Sequence, residues 1–188
     1  MARKNKKTGT AASAHTSASA RALDAGLLGL RVTVGATLFA HGAQKLAGWF
    51  DGPGIEGTAA GMQQMGFEPA KASAVLAGIS EAAGGLMVAG VGTRLAAAAG
   101  SAAMLAAAQV HRQSGFFAQN GGYEYPAVLG LASASIALTG PGRYALDSVV
   151  GRKLNHWGVG VAALGLSLAG SAGVLSQRTK TLAARTAA

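Results

Sequence analysis

The chain contains no cysteine. Disulfides, thiolate metal sites and a cysteine nucleophile on this chain are therefore excluded, and nothing about redox compartment follows. Charge is scarce as well. Only 12% of the 188 residues are charged, where a soluble domain carries about 25%. No strand precedes the glycine-rich "GPGIEG", and nothing resembles a nucleophile elbow or a phosphate-cradling loop, so nucleotide-fold and hydrolase readings fail. No close His/carboxylate spacing supplies several ligands from one helix, and no metal site is assigned.

What the chain does have is apolar and small. Hydrophobic residues make up 50%, glycines number 29, and mean hydropathy is +0.32. Small residues let transmembrane helices approach closely, where van der Waals packing replaces the missing hydrophobic drive. The balance points to an integral membrane protein. A net charge of +9 would suit nucleic acid, but the basic residues lie in the N-terminal tail or flank apolar runs, the pattern of the positive-inside rule. Nucleic acid is not an expected partner; the lipid bilayer is.

The expected architecture is an all-α helical bundle of four core transmembrane helices with a fifth following. Residues 1–22 are basic, then Ala/Ser/Thr-rich, and read as a disordered cytoplasmic tail. Residues 23–150 hold four apolar segments near the ~20 residues that cross a bilayer: Leu23–Gln44, Ala72–Val91, Arg94–His111 and Tyr125–Thr139. The first is long and contains Arg31, which favours a retained span over a signal peptide. Residues 151–176 carry the fifth, Trp157–Ser176, and 177–188 a basic C-terminal tail. With the N-terminus in the cytoplasm, the inner side receives the tail charges, Arg94, Arg143, Arg152 and Lys153, and the outer loops hold Lys45, Lys71 and Arg112. Arg178, Lys180 and Arg185 oppose this bias, since a fifth full span places them outside. Trp49, Phe50, Phe116, Phe117, Tyr123 and Tyr125 read as an interfacial aromatic belt.

Polar residues at membrane depth mark the candidate sites. Arg31 precedes His41 by ten residues and Glu81 follows Lys71 by ten, so both fall roughly 15 Å from the outer boundary. The expectation is a buried Arg31–Glu81 pair with room made by Gly35, Ala77 and Gly85. A second group gathers at the outer mouth: His41 and Lys45 on one helix face, with His111, Asn120 and Glu124 at the same level. On the inner side, Arg143 and Asp147 follow "GPG" four residues apart and read as a cap and ion pair steadying the loop, with Arg94 nearby.

The stretches "LRVTVGATLFAHGAQKLAGWF", "GISEAAGGLMVAGVGTRLAA", "NGGYEYP" and "GPGRYALD", in this order over about residues 25–150, resemble the DoxX family of small bacterial membrane proteins. On that resemblance Arg31, His41, Gly42, Lys45, Glu81, Arg94, Glu124 and Asp147 fall on the family's characteristic positions, and Ala145 stands where the family commonly has serine. The resemblance implies a four-helix membrane bundle in the bacterial inner membrane. It also implies kinship with a thiosulfate:quinone oxidoreductase membrane subunit, and association with redox enzymes in some members.

The first functional expectation is thus a membrane subunit of a redox system that contacts quinone. No motif binds a flavin, haem or iron–sulfur cluster, so electron transfer needs an oxidoreductase partner, soluble or membrane-bound; a homo-oligomer is compatible with this. A second expectation, from another class, is a carrier or permeation protein for a small anion or proton, lined by Arg, Lys and His. A third is a membrane scaffold without chemistry.

Overall fold

Alanine-rich segments divided by Gly and Pro fold into seven α-helices in a computed structural model that describes residues 5–149 and 154–187. They are α1 (Asn5–Ala47), α2 (Gly54–Gln64), α3 (Ala70–Ala82), α4 (Gly84–Ala89), α5 (Thr93–His111), α6 (Glu124–Thr139) and α7 (Trp157–Thr186). Among the described residues there is no strand. Three helical stretches among the described residues are long and apolar enough to cross a membrane: Ala18–Ala47, Ala70–Ala89 and Trp157–Thr186. The alanine-rich α5 is not among them. The 16 residues of α6 span about 24 Å, less than a ~30 Å hydrocarbon core.

The expected and observed segments differ in three places. Helix α1 begins at Asn5, well inside the stretch 1–22 expected to be disordered; alanine, the strongest helix former, dominates much of that stretch. The second apolar segment is two helices, parted at Ala83 ahead of Gly84–Gly85. Third, the helix α2 occupies what reads as a loop. Arg3, Lys4, Arg152 and Lys153 lie outside the described residues.

Helix α5 is the hub. It packs chiefly against α6 and α7, while α1 packs against α3, α4 and α2. Its Ala96, Ala97 and Ala98 are buried together with Val34, Leu38, Met87, Met104, Leu129, Ile136 and Leu164. Alanine brings the helices close, and a few larger side chains fill between them. The outward faces carry Leu76, Val128, Leu131 and Leu166, each more than half exposed. Such a surface suits lipid tails as solvent. Aromatic residues ring both ends: Trp49, Phe50, Phe116, Phe117 and Tyr125 at one, Tyr144 and Trp157 at the other, as at membrane–water interfaces. We call the first end the mouth and the second the base.

Glycines set the register of the first helix pair. A Cβ on Gly42 would lie 2.3 Å from the Ala82 nitrogen, and one on Gly84 the same distance from the Gly35 carbonyl oxygen. Leu46 lies against Gly78. The antiparallel α1 and α3–α4 thus touch backbone to backbone, with Arg31 at the level of Gly90.

Candidate functional site

The register decides the fate of the two buried charges. Arg31 is 2% exposed, and its Nη2 donates to the Tyr144 carbonyl oxygen at 2.6 Å. A Cβ at Gly90, where φ is +73°, would come within 2.0 Å of Arg31 Nη1. Only glycine fits there. Arg31 therefore sits at the base, against the loop that follows α6. Glu81 does not meet it. The Glu81 Oε2 accepts from Lys45 Nζ at 2.5 Å, near the mouth. The expected Arg31–Glu81 pair is corrected to Lys45–Glu81. The expected depths follow only if the first span ends and the second starts at one boundary, but α3 begins beyond the end of α1, where it also packs against α2. Glu81 consequently reaches only the level of Lys45.

The mouth residues fall into separate contacts. The His41 Nε2 and Tyr125 hydroxyl lie 2.9 Å apart, with their rings edge to face. His111 Nδ1 is 2.8 Å from the Gly121 carbonyl oxygen, the geometry of an N–H donor. Glu124 accepts from the Ala118 N–H at 3.0 Å, steadying the turn that contains Asn120. Glu124 and Asn120 thus shape the α5–α6 loop and do not join Lys45. Among the described residues no three of His, Asp and Glu gather as a metal's ligands would.

What Lys45, Glu81 and His111 share is a cavity of about 610 Å³. Its walls are small: Ser73 and Ala77 from α3, Ala103 and Ala107 from α5, Ser171 from α7. Met62, Met65 and Phe67, on and after α2, cover the mouth side. Glu81's side chain is 5% exposed and that of Lys45 26%, so the carboxylate is enclosed and the ammonium faces the space. The arrangement is an apolar slot closed at one end by a charged donor. That is the usual make-up of a small-molecule site, with few polar groups fixing orientation in a mostly apolar pocket. Sequence reasoning missed the three covering residues, although "MQQMGF" places two methionines and a phenylalanine in an otherwise small-residue stretch. It also treated Tyr125 only as part of the belt.

The base is built from charges used on backbone. Asp147 accepts from the N–H groups of Gly92 (2.8 Å) and Thr93 (2.9 Å), so it caps the start of α5, where a carboxylate also complements the helix dipole. Arg94 donates to the carbonyls of Ala137 (2.7 Å), Leu138 (2.6 Å) and Thr139 (3.3 Å), and to Asn155. It satisfies the last turn of α6, where a cation is favoured. The expected Arg143–Asp147 ion pair does not form. The Arg143 backbone N–H donates to Asp24 at 2.9 Å, and the two Asp147 oxygens accept from the start of α5.

Comparison with known proteins bears on which parts of this arrangement are shared. No curated protein and no solved structure matches the chain. The model of the DoxX family matches residues 26–113. That segment holds α1 from Gly26 onward, α2 to α5, both members of the Lys45–Glu81 pair, and Arg31 and Arg94. Asp147, Tyr144 and α7 lie beyond it. The match is thus to one region of the chain, residues 26–113, and does not reach α7 or the loop after α6.

Proposed function

We propose that this chain is an integral membrane subunit of a bacterial redox-associated system whose cavity receives a quinone headgroup. The carrying observation is the Lys45–Glu81 pair at one end of an alanine-walled cavity of about 610 Å³. A quinone needs hydrogen-bond donors for its carbonyl oxygens beside an apolar slot. Lys45 Nζ supplies a donor and Glu81 holds that ammonium in place. His111, at the same rim, supplies a second polar group. When bound, a quinone would supply the capacity to accept electrons, which no side chain here offers; the residues named bind and orient it. Electrons would come from an oxidoreductase partner. The proposed setting is the bacterial inner membrane, N-terminus inside, with four core spans and α7 as the fifth; the basic N-terminal tail supports that orientation.

Purification in mild detergent tests this directly. Solvent extraction of the purified protein should yield quinone, and Lys45→Ala should lower its occupancy while the protein still inserts. Mass spectrometry of the same preparation should identify an oxidoreductase partner. Absence of quinone from wild-type protein purified from quinone-replete membranes would overturn the quinone assignment.

A further inference from the structure

The last three turns of α7 extend beyond what a bilayer requires. From Trp157, about 20 residues cover a ~30 Å hydrocarbon core, which ends the apolar part near Ser176. Residues 177–186 continue the helix past the mouth, and there they grip the segment that covers the cavity. Arg178 Nε donates to the Met65 carbonyl at 2.8 Å, and its guanidinium lies 5.5 Å from the centroid of the Phe67 ring. Arg185 donates to the Gln63 carbonyl at 2.8 Å and pairs with Glu68 at 3.1 Å. Gln177 donates to the Glu68 carbonyl at 3.0 Å. Between them Leu182 presses on Gly66, whose φ is +87° and where a Cβ would lie 2.7 Å from the leucine.

These contacts have a shared target. Met65 and Phe67 are cavity-lining residues, and the atoms held are their own carbonyl and ring or those of their chain neighbours. Lower down, α7 forms one wall of the same cavity and α3 another. Leu76, a lining residue on α3, is 56% exposed, and Leu166 on α7, beside the lining Ser167, is 76% exposed, so the outward faces of both walls suit lipid tails.

We propose that Gln177, Arg178 and Arg185 of α7 are a latch that holds Met65 and Phe67 as a roof over the Lys45–Glu81 cavity. The roof closes the cavity to water-borne solutes and leaves the bilayer as the ligand's route. The ligand class is then a membrane-dissolved amphiphile with a hydrogen-bonding head. This rests on the cavity being a ligand site and specifies how that site is reached. A small hydrated anion, which must arrive from water, is the ligand class the latch shuts out.

The absence of native cysteine makes the test direct. Ala103→Cys places one thiol in the cavity wall. In membrane vesicles with the mouth outward, its labelling is timed with a charged, impermeant maleimide and with a small apolar maleimide that partitions into lipid. The expected result is rapid labelling by the apolar reagent and slow labelling by the charged one. Adding Arg178→Gln and Arg185→Gln removes the arginines' hydrogen bonds to the roof, which should raise the charged reagent's rate by about tenfold or more and leave the apolar rate nearly unchanged.

Equal rates for the two reagents in the otherwise wild-type protein would overturn the roof, without recourse to any latch variant. Unchanged charged labelling in the arginine variants, with their melting temperature retained, would overturn the latch. Variants that melt early are replaced by Arg185→Lys, which keeps the charge; it should label at an intermediate rate, and a wild-type rate would count against the latch. No quinone is needed for any arm, so failure of the quinone assignment is read separately.

Discussion

Lys45 and Glu81 concentrate the energetics of the mouth in one contact. Glu81 is enclosed, and removing its partner leaves a carboxylate without compensation. Lys45→Leu should therefore destabilise the protein by about 3 kcal/mol, the low end for a broken buried pair, because Lys45 keeps a quarter of its side chain exposed. Replacing both residues by leucine should recover much of that loss. A double-mutant cycle on thermal melting in detergent checks this. The same cycle on Arg31 and Glu81 should show simple additivity, since they sit at opposite ends of the helix pair. Strong coupling between Arg31 and Glu81 would contradict the register described above. The sequence alone marked Arg31 and Glu81, because charge inside an apolar run is visible without a structure, and it placed Lys45 in the group at the mouth. Who pairs with whom was not visible. Arg31's acceptor is a backbone carbonyl of Tyr144, 113 residues away, and a carbonyl leaves no trace in residue identity.

Helices were legible in proportion to their punctuation. The expected Arg94–His111 and Tyr125–Thr139 match α5 and α6 within one residue, since Gly92, Gly121–Gly122 and Gly140 bracket them. Helix α2 was hidden because "GIEGTAAGMQQ" contains three glycines and no sustained apolar stripe; it is held by packing against α3 and α1. The same packing explains the register error, because it lets α3 start outside the end of α1. Close approach of α1 and α3 depends on Gly42. Gly42→Ala places a Cβ 2.3 Å from backbone nitrogen and 2.7 Å from the Gly78 carbonyl oxygen, and backbone cannot rotate away as a side chain can. The expected cost is about 1–3 kcal/mol, the range for overpacking. The Lys45–Glu81 contact should loosen with it. Melting of the variant reads the first effect. The second appears as a smaller Lys45–Glu81 coupling energy measured in the Gly42→Ala background. Gly61→Ala, where a Cβ meets nothing within 4 Å, is the matching control.

Across the whole molecule, the contact between Arg31 and the Tyr144 carbonyl sets an order for biogenesis. Synthesis runs from the N-terminus, so Arg31 enters the membrane long before residue 144 exists. Until the "GPGRYALD" loop emerges, the guanidinium lacks its carbonyl, Gly90 lacks the Asp147 N–H that donates to its own carbonyl, and the first turn of α5 lacks the Asp147 carboxylate. Three early elements therefore wait on eight late residues. The nascent chain should remain in the care of the insertion machinery until that loop is made. Chains ending at residue 139, which include all of α1 to α6, should be degraded far faster in cells than chains ending at residue 149, although the two differ by only ten residues. Pulse-chase of the two lengths measures this, and equal lifetimes would show that the first six helices settle without the loop. In the longer species, Asp147→Ala should restore the short lifetime.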